Sequence, residues 1–88
     1  MSYTVVFVRE EDGRYSVHVP ALKGCHTWGE NLPHAILMAE EVISLFLESL
    51  RERGKPVPED ADTVTFDLGH ATEAVVYRLA VKEGVLAA

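Results

Sequence analysis

Cysteine is almost missing from this chain of 88 residues: Cys25 stands alone, so no intramolecular disulfide can form. A lone thiol suits a reducing compartment. The start, MSYTVVFVREED, has neither a basic opening nor a long apolar core, which argues against a secretory leader. The expected location is therefore cytoplasmic. No apolar run approaches the roughly 20 residues that span a bilayer, so no membrane association is expected. Basic residues are also scarce. Eight Lys and Arg stand against fourteen Asp and Glu, for a net charge of −6, and no three basic residues are adjacent. Phosphate binding needs clustered Lys and Arg, so no direct nucleic-acid binding is expected of this chain. Three Tyr, three Phe and one Trp are too few for a base-stacking platform. The phosphate-binding glycine patterns GxGxxG and GxxxxGK[ST] are absent as well.

What remains is the composition of one small globular domain, residues 1–88, with 48% hydrophobic and 25% charged residues. Tyr3 to Arg9 (YTVVFVR) is rich in β-branched and aromatic residues and reads as a strand. A charged turn, Glu10 to Gly13, leads to Arg14–Val19, which alternates with Tyr15, Val17 and Val19 on one face. Pro20 ends that strand. Gly24 and Gly29 bracket a short third strand, Cys25 to Trp28.

The strongest helix signal follows. Asn31 is the N-cap and Pro33 sits in the first turn. Ala35, Ile36, Ala39, Val42, Ile43, Phe46, Leu47 and Leu50 form one apolar stripe at helical spacing. Gly54, Pro56 and Pro58 end the helix after about 22 residues, or ~33 Å. Met38 and Leu45 lie off the stripe, which suits either a wide core or a subunit contact. After the connector 54–61, Thr63–Leu68 alternates as a strand, and Gly69–Glu73 reads as a turn. Ala74–Val81 reads better as a strand than as a helix, because Val75, Val76, Tyr77 and Val81 lower helix propensity, so it is expected to form a second hairpin with Thr63–Leu68. The expected fold is α+β in the order β-β-β-α-β-β. It comprises a small, mainly antiparallel sheet with one long helix on a face.

His18, Cys25, His26 and His34 form the one cluster that invites a chemical reading. Zinc is disfavoured, because CxxC and HxxxH are absent and the adjacent Cys25 and His26 of a strand point to opposite faces. Cys25 reads as a small core hydrophobe. A hydrolase using His18, Cys25 and His26 would need a base beside a thiolate, and no flanking signature supports one. The acids Glu10, Glu11 and Asp12 at a hairpin tip read as turn chemistry and solubility. No catalytic residue, cofactor or metal is therefore expected. Trp28 reads first as a cap over the end of the core and second as a binding residue. The acidic balance suits either solubility alone or a basic protein partner.

The run Val19-Pro20-Ala21-Leu22-Lys23-Gly24-Cys25-His26-Thr27-Trp28-Gly29-Glu30 resembles the signature segment of the HicB-like antitoxin family. Pro20, Leu22, Gly24, Cys25, Thr27 and Gly29 match in place. Upstream Tyr3, Val5, Asp12, Gly13, Tyr15 and Val17 match too, as do Ala35, Ala39, Gly54, Pro56 and Pro58 downstream. The resemblance covers roughly residues 3 to 60. It implies a partial ribonuclease-H-like α+β domain without that fold's catalytic acids. It further implies a protein-binding module that occludes a small basic ribonuclease toxin of the HicA type. Many members of the family add a C-terminal DNA-binding domain. Here only 27 residues follow Ala61, with strand-like patterning, so a short form without that domain is expected. Solitary HicB-like domains with no toxin partner are the alternative. A homodimer or larger homo-oligomer is expected, with Met38 and Leu45 as its candidate contact.

Overall fold

The computed structural model describes residues 1–65, 67, 69 and 73–81. Four strands and one helix follow in the order β1 (Ser2–Arg9), β2 (Tyr15–His18), β3 (His26–Gly29), α1 (Leu32–Glu52) and β4 (Glu73–Ala80). The strands form one antiparallel sheet ordered β3-β2-β1-β4. This is the expected α+β architecture.

Turn chemistry sets the first hairpin. Glu10 N–H donates to the Arg14 carbonyl, and Gly13 N–H donates to the Glu10 carbonyl. Gly13 has φ +89°, the glycine position of a three-residue hairpin loop. β1 is longer than β2 and continues past its end toward Ser2. There the connector takes over: Thr4 donates from its N–H to Asp60 Oδ1 and from its hydroxyl to Asp60 Oδ2, each at 2.8 Å. Arg78 Nε lies 3.5 Å from the same carboxylate, and the Tyr3 hydroxyl donates to the Pro58 carbonyl. One aspartate thus ties the connector to the two strands β1 and β4.

The helix ends are built as the sequence indicates. Asn31 Oδ1 accepts from the His34 N–H at 2.9 Å. At the other end Gly54 (φ +66°) donates to the Arg51 carbonyl and Lys55 to that of Leu50. Those are the two bonds of a Schellman ending. Ala35, Ala39, Ile43, Leu47 and Leu50 are buried against Tyr3, Val5, Phe7, Val17, Val19, Leu22 and Cys25. Each fully buried Leu or Ile stabilises by about 1.5–3 kcal/mol. Leu32, Ile36, Val42 and Phe46 widen that core from the flanks of the helix.

Every strand end but Arg9 lies one residue from the sequence reading, and one element differs. The third strand begins at His26 rather than Cys25, because the Cys25 backbone closes the preceding turn. The helix runs 21 residues. No strand forms at residues 63–65 or 67, while Phe66 and Leu68 of that expected strand lie outside the described residues. β4 instead pairs with β1 in an unbroken register from Ser2↔Ala80 to Arg9↔Glu73. The expected strand at the chain's end is thus real, but its described partner is the first strand. Of the expected Gly69–Glu73 turn, Gly69 sits in a turn, Glu73 opens β4, and residues 70–72 lie outside the described set.

Candidate functional site

The signature residues build one compact structural device. Pro20 follows Val19, whose carbonyl accepts from Leu22 N–H at 3.0 Å, so Pro20 occupies the second position of a β-turn, which its fixed φ favours. The Leu22 carbonyl then accepts from Cys25 N–H at 2.9 Å. Gly24, at φ +87°, takes the third position of this second turn, where type II geometry needs a positive φ. Leu22, shared by both turns, is 1% exposed and pins the double turn to the core. Val19 N–H donates back to the Cys25 carbonyl at 3.2 Å and closes the loop. Thr27 is half-buried opposite Val17.

Gly29 completes the device. A Cβ there would stand 2.4 Å from the backbone nitrogen of Ala35 and 2.5 Å from its Cα. Only glycine lets α1 approach β3 this closely. Pro20 and Gly24 thus shape the double turn, Leu22 and Cys25 anchor it in the core, and Gly29 seats the helix on β3.

The chemical cluster is taken apart by the fold. Cys25 is 4% exposed in the core, and burial pushes its thiol up to about 11. It remains protonated near neutral pH and is a poor nucleophile. His18 and His26 face each other across β2 and β3 on the opposite side of the sheet. Cys25 therefore lacks the neighbouring imidazole that the hydrolase reading requires. His34 serves the helix start: its Nδ1 accepts from Glu30 N–H at 3.0 Å, which puts the proton of the neutral ring on Nε2. Among the described residues, no group of three or more His, Cys, Asp or Glu is placed to hold a metal ion.

Two surface regions stand out instead. At the first hairpin a depression of about 290 Å³ is lined by Glu10, Asp12, Arg14, Tyr15, Ser16 and Trp28. Arg14 lies 2.6 Å from Asp12 Oδ2 and 5.3 Å above the Trp28 ring centroid. The side-chain hydrogen bond from Arg14 holds the Asp12 carboxyl below its usual range. Ser16 donates to Glu10 Oε1 at 2.8 Å. Trp28 is 50% exposed and does not cap the core, because its position in β3 faces away from the helix. Carboxylates around an indole already holding one guanidinium form a surface that accepts cations.

The second region is apolar. Leu45 is 51% exposed, while Met38 is half-buried; neither belongs to the core or packs against it. Leu37, Val76 and Tyr77 are further exposed hydrophobics that sequence reasoning did not select. Val76 and Tyr77 looked like ordinary strand residues, since nothing in the sequence says that β4 lies at the sheet edge.

Comparison with known proteins places this device in a family. The model of a HicB-like antitoxin of bacterial toxin–antitoxin systems matches residues 3–79. A UPF0150 protein of Thermoplasma acidophilum is 41% identical over 66 residues, which are 74% of this chain and 96% of that protein. A UPF0150 protein of Synechocystis is 42% identical over 67% of this chain and 75% of its own length. Among solved structures, the N-terminal domain of the Burkholderia pseudomallei antitoxin HicB superposes with a TM-score of 0.74 at 26% identity. That match covers 93% of this chain and 99% of the domain. A chain of the HicA3 and HicB3 toxin–antitoxin complex shares the fold, with a TM-score of 0.65 at 17% identity over 93% of this chain and 99% of that one. On the family model and the curated relatives together, the chain belongs to the HicB-like antitoxin family of bacterial toxin–antitoxin systems.

Proposed function

We propose that this chain is the protein-binding module of an antitoxin and that it binds and occludes a small basic toxin of the HicA type. The observation that carries this reading is the end-to-end match to an antitoxin N-terminal domain. Charge supports it: −6 overall, with Glu10 and Asp12 grouped beside an exposed indole. Such a surface attracts a basic partner by steering as well as by contact. Chemistry by the chain itself is not required, since occluding a ribonuclease asks only for a rigid complementary surface.

Calorimetry of the purified chain with a small basic protein of the HicA type from the same genome tests the proposal. A stoichiometric complex that weakens as salt rises is expected. No heat and no co-elution at micromolar concentrations would leave the alternative, a solitary HicB-like domain without a toxin.

Self-association belongs to the same proposal. β4 carries exposed Val76 and Tyr77 on an outer edge that no described strand pairs. Leu45, with the half-buried Met38, adds a helix flank. A long edge without Pro, Lys or bulge is a pairing surface unless it is covered, and a second copy is the proposed cover. Light scattering of the chain alone is expected to give at least a dimer.

A further inference from the structure

The register of β2 and β3 sets His18 directly opposite His26. The next pair along, Val19 and Cys25, is joined by a backbone hydrogen bond. In an antiparallel ladder hydrogen-bonded and non-hydrogen-bonded pairs alternate, so His18 and His26 form a pair of the second kind. Their Cα atoms then lie about 4.5 Å apart, the closest side-chain approach a sheet offers. Both rings project from the face away from α1, since their neighbours Val17 and Cys25 enter the core. His26 is exposed and His18 half-buried, so both are within reach of a solvated ion.

We propose that His18 and His26 are a two-imidazole chelating site for a borderline divalent transition-metal ion, Cu²⁺, Ni²⁺ or Zn²⁺. Imidazole suits these ions, whereas Mg²⁺ and Ca²⁺ require oxygen ligands. With no third protein ligand among the described residues, this is an open site rather than a closed structural one. The remaining positions belong to water or to a group from a second molecule. Sequence spacing hides the site: seven residues separate the two histidines, and only the hairpin register joins them. The proposal stands on this geometry and is independent of any toxin partner.

Trp28, the only tryptophan, reports on the site. It follows His26 by two positions on the same face of β3, about 7 Å along the strand. Titration of untagged protein with Cu²⁺ is expected to quench Trp28 fluorescence saturably in the micromolar range, with affinity in the order Cu²⁺ > Ni²⁺ and Cu²⁺ > Zn²⁺. His18→Gln and His26→Gln should each weaken binding by roughly tenfold or more, the cost of disturbing even an outer-shell partner of a metal. In the unsubstituted protein, Zn²⁺ should shift the ring signals of His18 and His26 together while those of His34 hold. Quenching unchanged in both variants, or Zn²⁺ shifts confined to His34 or the amino terminus, would overturn the assignment.

Discussion

The two edges of the sheet are built on opposite principles. β3 is four residues long and sits tight beneath the helix, which approaches Gly29 so closely that no side chain fits. β4 is eight residues long, and the helix packs on β3, β2 and β1 in preference to it. Its exposed residues include Val76 at 58% and Tyr77 at 41%, although Tyr77 also meets Phe7 edge-on with ring centroids 5.8 Å apart. One edge lies against the chain's own helix, while among the described residues no strand pairs with the other. The family signature lies entirely at the closed edge. Its buried members Leu22, Cys25 and Gly29 therefore serve the scaffold.

The contrast is open to direct attack, and the largest expected effect lies at the closed edge. Gly29→Val drives a branched side chain into the Ala35 backbone. It should cost about 3 kcal/mol, the upper end of ordinary overpacking, measured by urea unfolding. A cost below 1 kcal/mol would show that the helix does not need the close approach.

Next in size is the strap between connector and sheet. Partial burial opposes the charge on Asp60, but the bonds from Thr4, Ala61 N–H and Arg78 hold its carboxyl below the ordinary 3.8. Because the folded value is the lower one, ionised Asp60 stabilises the fold above about pH 4. That contribution is lost as pH falls through its lowered value. Asp60→Ala should therefore cost about 1.5–3 kcal/mol at pH 7, the range for hydrogen bonds to a charged group. Its stability should also fall less steeply than that of the unsubstituted protein in acid. A parallel acid limb in both proteins would contradict this role.

At the bare edge the effect on stability should be small and the effect on assembly large. Val76→Lys places a charge where edge strands commonly carry one. It should change monomer stability by no more than about 0.5 kcal/mol while shifting light scattering toward the monomer. Unaltered assembly would move the contact to the Leu45 flank, which Leu45→Lys then tests. Smallest of all is the thermodynamic effect of the Cys25 thiol. Its reaction with iodoacetamide at pH 8 should be slow in the folded chain and fast in urea, because burial keeps it protonated. Equal rates would put Cys25 outside the core.

Local chemistry made most of the fold legible. Asn31, Pro33 and Gly54 mark the helix ends through backbone geometry that only a few residue types satisfy. The alternation Tyr15, Val17, Val19 declares which face of β2 is dry. Pairing partners are different, because they depend on contacts far apart in sequence. Val75, Tyr77 and Leu79 revealed a strand but not that it would lie beside β1. The same limit applies to the sites. Spacing was enough to set Cys25 apart from His26, since adjacent residues of a strand diverge. It could not show that His18 and His26 meet, nor that Trp28 leaves the core to receive Arg14. Met38 and Leu45 were equivalent in the helical pattern, and only packing distinguishes the half-buried residue from the exposed one.

The proposed neutralisation of a basic ribonuclease by this HicB-like domain is tested most directly by an inhibition titration. RNA cleavage by a small basic ribonuclease of the HicA type from the same genome is followed while purified chain is added. Cleavage should fall linearly and stop at a fixed stoichiometric ratio, with inhibition relieved by high salt. Undiminished cleavage in the presence of a large excess of folded chain would contradict it.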